Sequence, residues 1–122
     1  MNSKEKALRI ASQALEKQAE SIEIIHVEEK VHYTSYLVVC SGKNERHVDA
    51  LATAIETNMK EVDQTPLGIE GKLSNTWILM DFDDVVVHIF ERDRRSFYDI
   101  ETLWMDAKRI SLESAKAPPK ST

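Results

Sequence analysis

Residues 33–62 read YTSYLVVCSGKNERHVDALATAIETNMKEV, and the change of period inside this stretch decides the fold. From Tyr36 to Cys40 the chain is apolar without alternation, the pattern of a strand covered on both faces. The pattern breaks at Ser41, Gly42, Lys43 and Asn44, after which Val48, Leu51, Ala52, Ile55, Met59 and Val62 recur at helical spacing. The spacing predicts a helix over residues 44–61, capped by a side-chain oxygen of Ser41 or Asn44. Pro66 bars its continuation, because proline disfavours helical geometry in the residue before it. Strand, glycine-bearing turn and helix in that order make an α/β unit.

Upstream, residues 3–19 hold neither Gly nor Pro and place Ala7, Leu8, Ala11, Leu15 and Ala19 on one modest apolar stripe. They predict a first helix with Ser3 as its cap, followed by a short strand at residues 22–27, IEIIHV. Downstream, residues 67–71 read as a short extended piece and residues 72–75 as a polar turn. Two apolar runs follow, WILMDF at residues 77–82 and VVVHIF at residues 85–90. Asp83 and Asp84 separate them, which predicts an antiparallel hairpin whose turn type stays open for want of a glycine. Beyond Glu91, Phe97, Ile100, Leu103 and Trp104 stand at helical spacing and predict a last helix.

The folded domain is assigned to residues 1–106. Residues 107–122, with Pro118 and Pro119, form a polar tail expected to be disordered. The order α-β-β-α-β-β-β-α is buried most simply as a single mixed β-sheet flanked by helices on one or both faces. The hairpin is apolar on both sides, so either a helix covers each face or one face meets another protein.

A chain of 122 residues makes one domain. Its 16 Lys and Arg against 21 Asp and Glu leave a formal charge of −5, which argues against a surface that grips a phosphate backbone throughout. The balance suits an enzyme or a protein-binding module, the latter with a basic partner. Cys40 stands alone and cannot form an internal disulfide, and no stretch approaches the ~18 apolar residues that a membrane span needs. The N-terminal stretch has no apolar signal core either, and the expectation is a cytoplasmic protein away from the membrane.

Chemistry-bearing patterns are sparse. Ser41, Gly42, Lys43 and Asn44 lie where a phosphate-cradling turn would sit, but one glycine satisfies neither GxxxxGK[ST] nor GxGxxG. An ordinary turn and cap, an anion contact and a macromolecular contact stay open there. Asp81 and Asp83 alternate on a strand and could present two carboxylates to metal ions; the same residues suit a hairpin turn or an acidic protein-binding patch. His26, His32, His47 and His88 follow no zinc spacing, and Cys40 has no CxxC partner. No serine has a nucleophile-elbow context. No metal, cofactor or catalytic constellation emerges. Trp77, Trp104, Phe97 and Tyr98 are core or interface anchors, with Trp77 and Trp104 the better placed for exposure.

Five stretches carry a family resemblance: SYLVVCSG at residues 35–42, NERHVDALA at 44–52, PLGIEG at 66–71, WILMDFDDVVVHIF at 77–90 and RSFYDIETLW at 95–104. In order and spacing they resemble the ribosomal silencing factor family, also called RsfS or Iojap. Ser35 departs from it, standing where the family usually has Asp before the Tyr. The resemblance implies a nucleotidyltransferase-like α/β domain without the catalytic carboxylates. In active members of that larger fold a D-x-D pair closely follows the strand–helix turn, whereas here Asp81 and Asp83 come far downstream, in the hairpin.

The resemblance further implies a translational repressor rather than an enzyme. Such factors dock on large-subunit ribosomal protein fourteen and block joining of the small subunit, and they also form homodimers. An acidic binder fits the basic surface typical of ribosomal proteins. The alternative is a metal-dependent nucleotidyltransferase or nucleotide-binding protein; a role in assembly of the large subunit is a variant of the first reading. On the leading reading the ribosome-facing patch is Trp77, Leu79, Asp81 and Asp83, which share one face if the strand alternates, together with Tyr98 and Glu101 three residues apart on a helix.

Overall fold

The computed structural model describes residues 1–28, 34–94 and 107–110. In chain order these form α1 (Ser3–Glu16), β1 (Glu20–His26), β2 (Tyr36–Gly42), α2 (Glu45–Lys60), β3 (Gly68–Glu70), β4 (Trp77–Asp81), β5 (Val85–Glu91), a 3₁₀ turn (Arg92–Arg94) and β6 (Lys108–Ile110). The six strands make one sheet in the order β3-β4-β5-β2-β1-β6. β2 and β5 run parallel at its centre and every other pair is antiparallel, so the sheet is mixed. All seven residues of β2 are buried, which explains the unbroken apolar run in its sequence: a central strand has no solvent face to make polar.

Both helices lie against the same face of the sheet. Ala7, Ile10, Ala11 and Ala14 of α1, with Val48, Leu51, Ala52, Ile55 and Met59 of α2, pack on Ile24, Val38, Cys40, Ile78, Met80, Val87 and Ile89. Each fully buried aliphatic side chain contributes about 1.5–3 kcal/mol, so this layer supplies most of the driving force among the described elements. The opposite face carries a second apolar cluster of Ile25, Val27, Leu37, Val39, Val86, Phe90 and Ala107, with Trp77 and Leu79 packed on its margin. No helix among the described residues crosses that face. The helix expected from Phe97, Ile100, Leu103 and Trp104 lies outside the described residues.

The α1 cap differs from expectation. Asn2, not Ser3, is the cap: its Oδ1 accepts the Glu5 N–H at 2.8 Å, and the Glu5 carboxylate accepts the Asn2 N–H at 2.9 Å. Ser3 is drawn away to donate to the Asp84 carboxylate, which also receives the Lys6 ammonium. Lys6 is 7% exposed and donates as well to the Phe82 carbonyl, tying α1 to the β4–β5 turn. Asn44 caps α2, accepting the His47 N–H at 2.8 Å, while Ser41 is buried in β2.

The hairpin forms with Trp77 opposite Phe90 and Asp81 opposite Val86. Its turn manages without glycine because Asp83 takes the left-handed conformation, φ 75°, which Asp tolerates better than most residues. The domain boundary at residue 106 falls short of the sheet. β6 lies beyond it, paired with β1, and Arg109 bonds Glu23 across that pair at 3.2 Å. A polar KRI triplet becomes a strand because the open edge of β1 offers it a ladder. No helix among the described residues is long and apolar enough to cross a membrane.

Candidate functional site

The β2–α2 turn is already closed upon itself. The Lys43 N–H donates to His47 Nδ1 at 2.9 Å, the His47 N–H to Asn44 Oδ1, and the Val48 N–H to the Asn44 carbonyl. His47 Nε2 meets the Lys17 carbonyl at 2.9 Å, so the ring clamps the end of α1 to the start of α2. An added Cβ at Gly42 would stand 2.8 Å from Val48 Cγ2 and from Val48 N, so the glycine lets strand and helix approach rather than making room for a phosphate. The hollow beside this turn, about 660 Å³, is lined by Asn44, Glu45, Arg46, Glu91, Asp93 and Arg94. Three carboxylates against two guanidinium groups make it a poor match for a triphosphate.

Asp81 and Asp83 are joined by a turn. The Asp83 N–H donates to Asp81 Oδ1 at 2.8 Å, and Phe82 N–H donates to the Val85 carbonyl at 2.9 Å. Asp83 is exposed in the turn rather than sharing the strand face, since β4 ends at Asp81. Asp84 points the other way, to Lys6. Burial alone would raise its carboxyl, but hydrogen bonds from Lys6 and Ser3 outweigh this and hold it below the usual carboxylate range. Among the described residues no three His, Cys, Asp or Glu side chains gather as a metal would require.

The alternation expected of the hairpin holds in β4. Ile78 and Met80 are buried beneath the helices, while Trp77, Leu79 and Asp81 are half-buried on the opposite face. Behind them His88 and Phe90 form a platform, with ring centroids 5.9 Å from Trp77 to His88 and 5.4 Å from Trp77 to Phe90. Trp77 Nε1–H donates to His88 Nδ1 at 3.0 Å. Burial pushes the His88 imidazole down to about 4, so at neutral pH it is an uncharged acceptor that sets the indole's orientation. Histidine here is a support, not an acid or base.

Sequence reasoning missed two members of this surface. β3 pairs with β4 so that Glu70 stands opposite Leu79 and Gly68 opposite Asp81, and directly opposed residues share a face. The signal was the PLGIEG stretch, had its register been known. Glu70, Gly71, Trp77 and Leu79 line a mostly apolar hollow of about 180 Å³, with Glu70 its one carboxylate. Gly71 makes this corner possible: its φ is 95°, and a Cβ there would fall 2.0 Å from the Trp77 carbonyl oxygen. Tyr98 and Glu101, the other two residues expected in the patch, lie outside the described residues.

An aromatic and aliphatic centre with a carboxylate rim is the composition of a protein interface. A family model described as "Ribosomal silencing factor during starvation" matches residues 1–122. The chain is 31% identical to the ribosomal silencing factor RsfS of Halalkalibacterium halodurans over 112 residues, covering 91% of this chain and 96% of that one. It is 36% identical to RsfS of Bacillus subtilis over 107 residues, 87% of this chain and 91% of that one. A crystal structure of a Chromobacterium violaceum protein superposes with a TM-score of 0.84 at 29% identity, covering 91% and 92% of the two chains. From its patterned hairpin to these whole-length matches, the chain belongs to the ribosomal silencing factor (RsfS/Iojap) family.

Proposed function

We propose that this chain is a translational repressor that acts by occupancy. It docks on the large ribosomal subunit through ribosomal protein fourteen, and its body blocks joining of the small subunit. The observation that carries the reading is the family match along residues 1–122, whose description names ribosome silencing during starvation. The half-buried Trp77 and Leu79, rimmed by Glu70 and Asp81, support it with an acidic, aromatic-centred surface. Tyr98 and Glu101 complete the proposed patch. On this reading the sheet is a nucleotidyltransferase-like scaffold lacking the catalytic carboxylates, and the protein is not an enzyme. It works in the cytoplasm and pairs with a second copy when free. Association costs about 4–15 kcal/mol before any gain appears, so a few buried anchors must supply the surplus.

Gradient sedimentation tests the reading. The protein should travel with isolated large subunits and be scarce in joined ribosomes; comigration with small subunits, or with neither, overturns it. Trp77→Ala should weaken large-subunit binding by about 2 kcal/mol or more, as expected of an aromatic hot spot. Asp81→Asn should cost less and act mainly on the association rate. Melting curves must show both variants folded, and wild-type affinity in both would remove the patch from the interface.

A further inference from the structure

We infer that the free edge of β3 receives an extended, basic segment of the partner protein, whose backbone passes against Gly68 and whose cations meet Glu70, Asp81 and Asp83. This rests on the protein-binding reading above and specifies the form of the partner and where it docks.

β3 is the end strand of the sheet and pairs only with β4 among the described residues. An unpaired strand edge is a template for another chain, whose main-chain hydrogen bonds supply affinity while side-chain pockets supply selectivity. Glycine in a strand weakens it, so its presence calls for a reason. Gly42 and Gly71 have theirs inside the molecule. Gly68 does not: its φ is not left-handed, and an added Cβ would meet nothing within 4 Å. The space a side chain would fill is open, on the same face as Asp81. A strand paired along the edge would set its own side chain on that face beside Gly68, and the glycine leaves room for it.

The surroundings describe that backbone's owner. Leu67 and Leu73 flank β3 at 73% and 105% exposure, apolar groups left open to solvent among the described residues. The hollow of about 180 Å³ between Glu70, Gly71, Trp77 and Leu79 is sized for one side chain of an alternating strand. Glu70 and Asp83 are exposed, and Asp81 is half-exposed. Lys72, the next cation along the chain, is turned onto α2, bonding Asp49 at 2.9 Å. The edge therefore presents carboxylates, which select a Lys- or Arg-bearing strand. A second copy of this chain would bring like charges together at the same edge.

The experiment measures binding of the full chain to purified large subunits, with Gly68→Ala, Gly68→Val and Glu70→Lys beside wild type. Both Gly68 variants should melt at or above the wild-type temperature, because the free protein has room for them. Gly68→Val should bind at least tenfold more weakly, Gly68→Ala less so, and Glu70→Lys should associate more slowly with a flatter salt dependence. If Gly68→Val and Glu70→Lys bind within twofold of wild type while Trp77→Ala weakens binding, the edge inference is overturned and the silencing reading survives. If wild type fails to bind large subunits at all, the reading falls and this inference with it. If the variants lose only self-association, the edge belongs to a second copy, which also overturns the proposal.

Discussion

Acidification should strike this fold through His88. The ring is 8% exposed in β5, in contact with Trp77 and Phe90, and burial holds its pKa at about 4 against an ordinary 6.5. The Trp77 Nε1–H donates to Nδ1, so the neutral ring carries its proton on Nε2, and a second proton would point at an N–H with no lone pair to receive it. The unfolded chain takes up that proton near pH 6.5, whereas the folded chain resists until about pH 4. Within this window the unfolded state binds more protons, so stability falls as the pH falls. Integrated down to pH 4 the loss is about 3 kcal/mol, a large part of the roughly 5–15 kcal/mol that hold a domain together.

Urea unfolding of wild type and His88→Gln at pH 7, 6, 5 and 4 isolates the effect. The glutamine amide oxygen keeps an acceptor for the indole, and the carboxylates common to both proteins cancel in the difference. The stability of wild type relative to His88→Gln should drop by about 3 kcal/mol from pH 7 to pH 4, most of it below pH 6. A difference flat to within about 0.5 kcal/mol would refute the reasoning. So would an NMR titration of the His88 ring with its midpoint near the ordinary histidine value.

Gly71→Ala should destabilise the fold by about 1–3 kcal/mol or more, since it combines a left-handed backbone with a clash against the Trp77 carbonyl; an unchanged melting temperature contradicts this. Lys6→Met leaves the Phe82 carbonyl and the Asp84 carboxylate without their ammonium, and should cost about 1–3 kcal/mol at pH 7 in chemical denaturation. Because Asp84 is held below its ordinary 3.8, the stability from this pair is present above that value and fades as the pH falls through the folded-state value. Wild type and Lys6→Met should therefore converge in strong acid, and equal stability at pH 7 would dismiss the pair as a contributor.

Most of the element boundaries were legible from periodicity, a local property. The unalternating Tyr36–Cys40 run marked a central strand, the 3-4 spacing from Val48 to Met59 marked α2, and the alternation in β4 separated Ile78 and Met80 from Trp77, Leu79 and Asp81. The family motifs were legible as well, because they are strings of residues at set intervals. What the sequence left undecided were matters of partnership between distant segments. The sequence predicts the α1 cap at Ser3; Asp84, far along the chain, takes the Ser3 hydroxyl and leaves the cap to Asn2. The KRI triplet of β6 has no strand signature of its own and is extended because β1 has an edge to offer.

The candidate site divides in the same way. Trp77, Leu79 and Asp81 follow from a period of two read along one strand. Glu70 and Gly68 join them only through the register of β3 on β4, and His88 becomes an uncharged support only because the sheet buries it beside an indole donor. Sequence by itself determined which groups can be buried and which stretches can be regular, since steric preference and hydrophobic period act within a few residues. Tertiary structure alone decided which groups meet, because pairing across the sheet is settled by hydrogen bonds, packing and charge among segments that the chain order does not bring together.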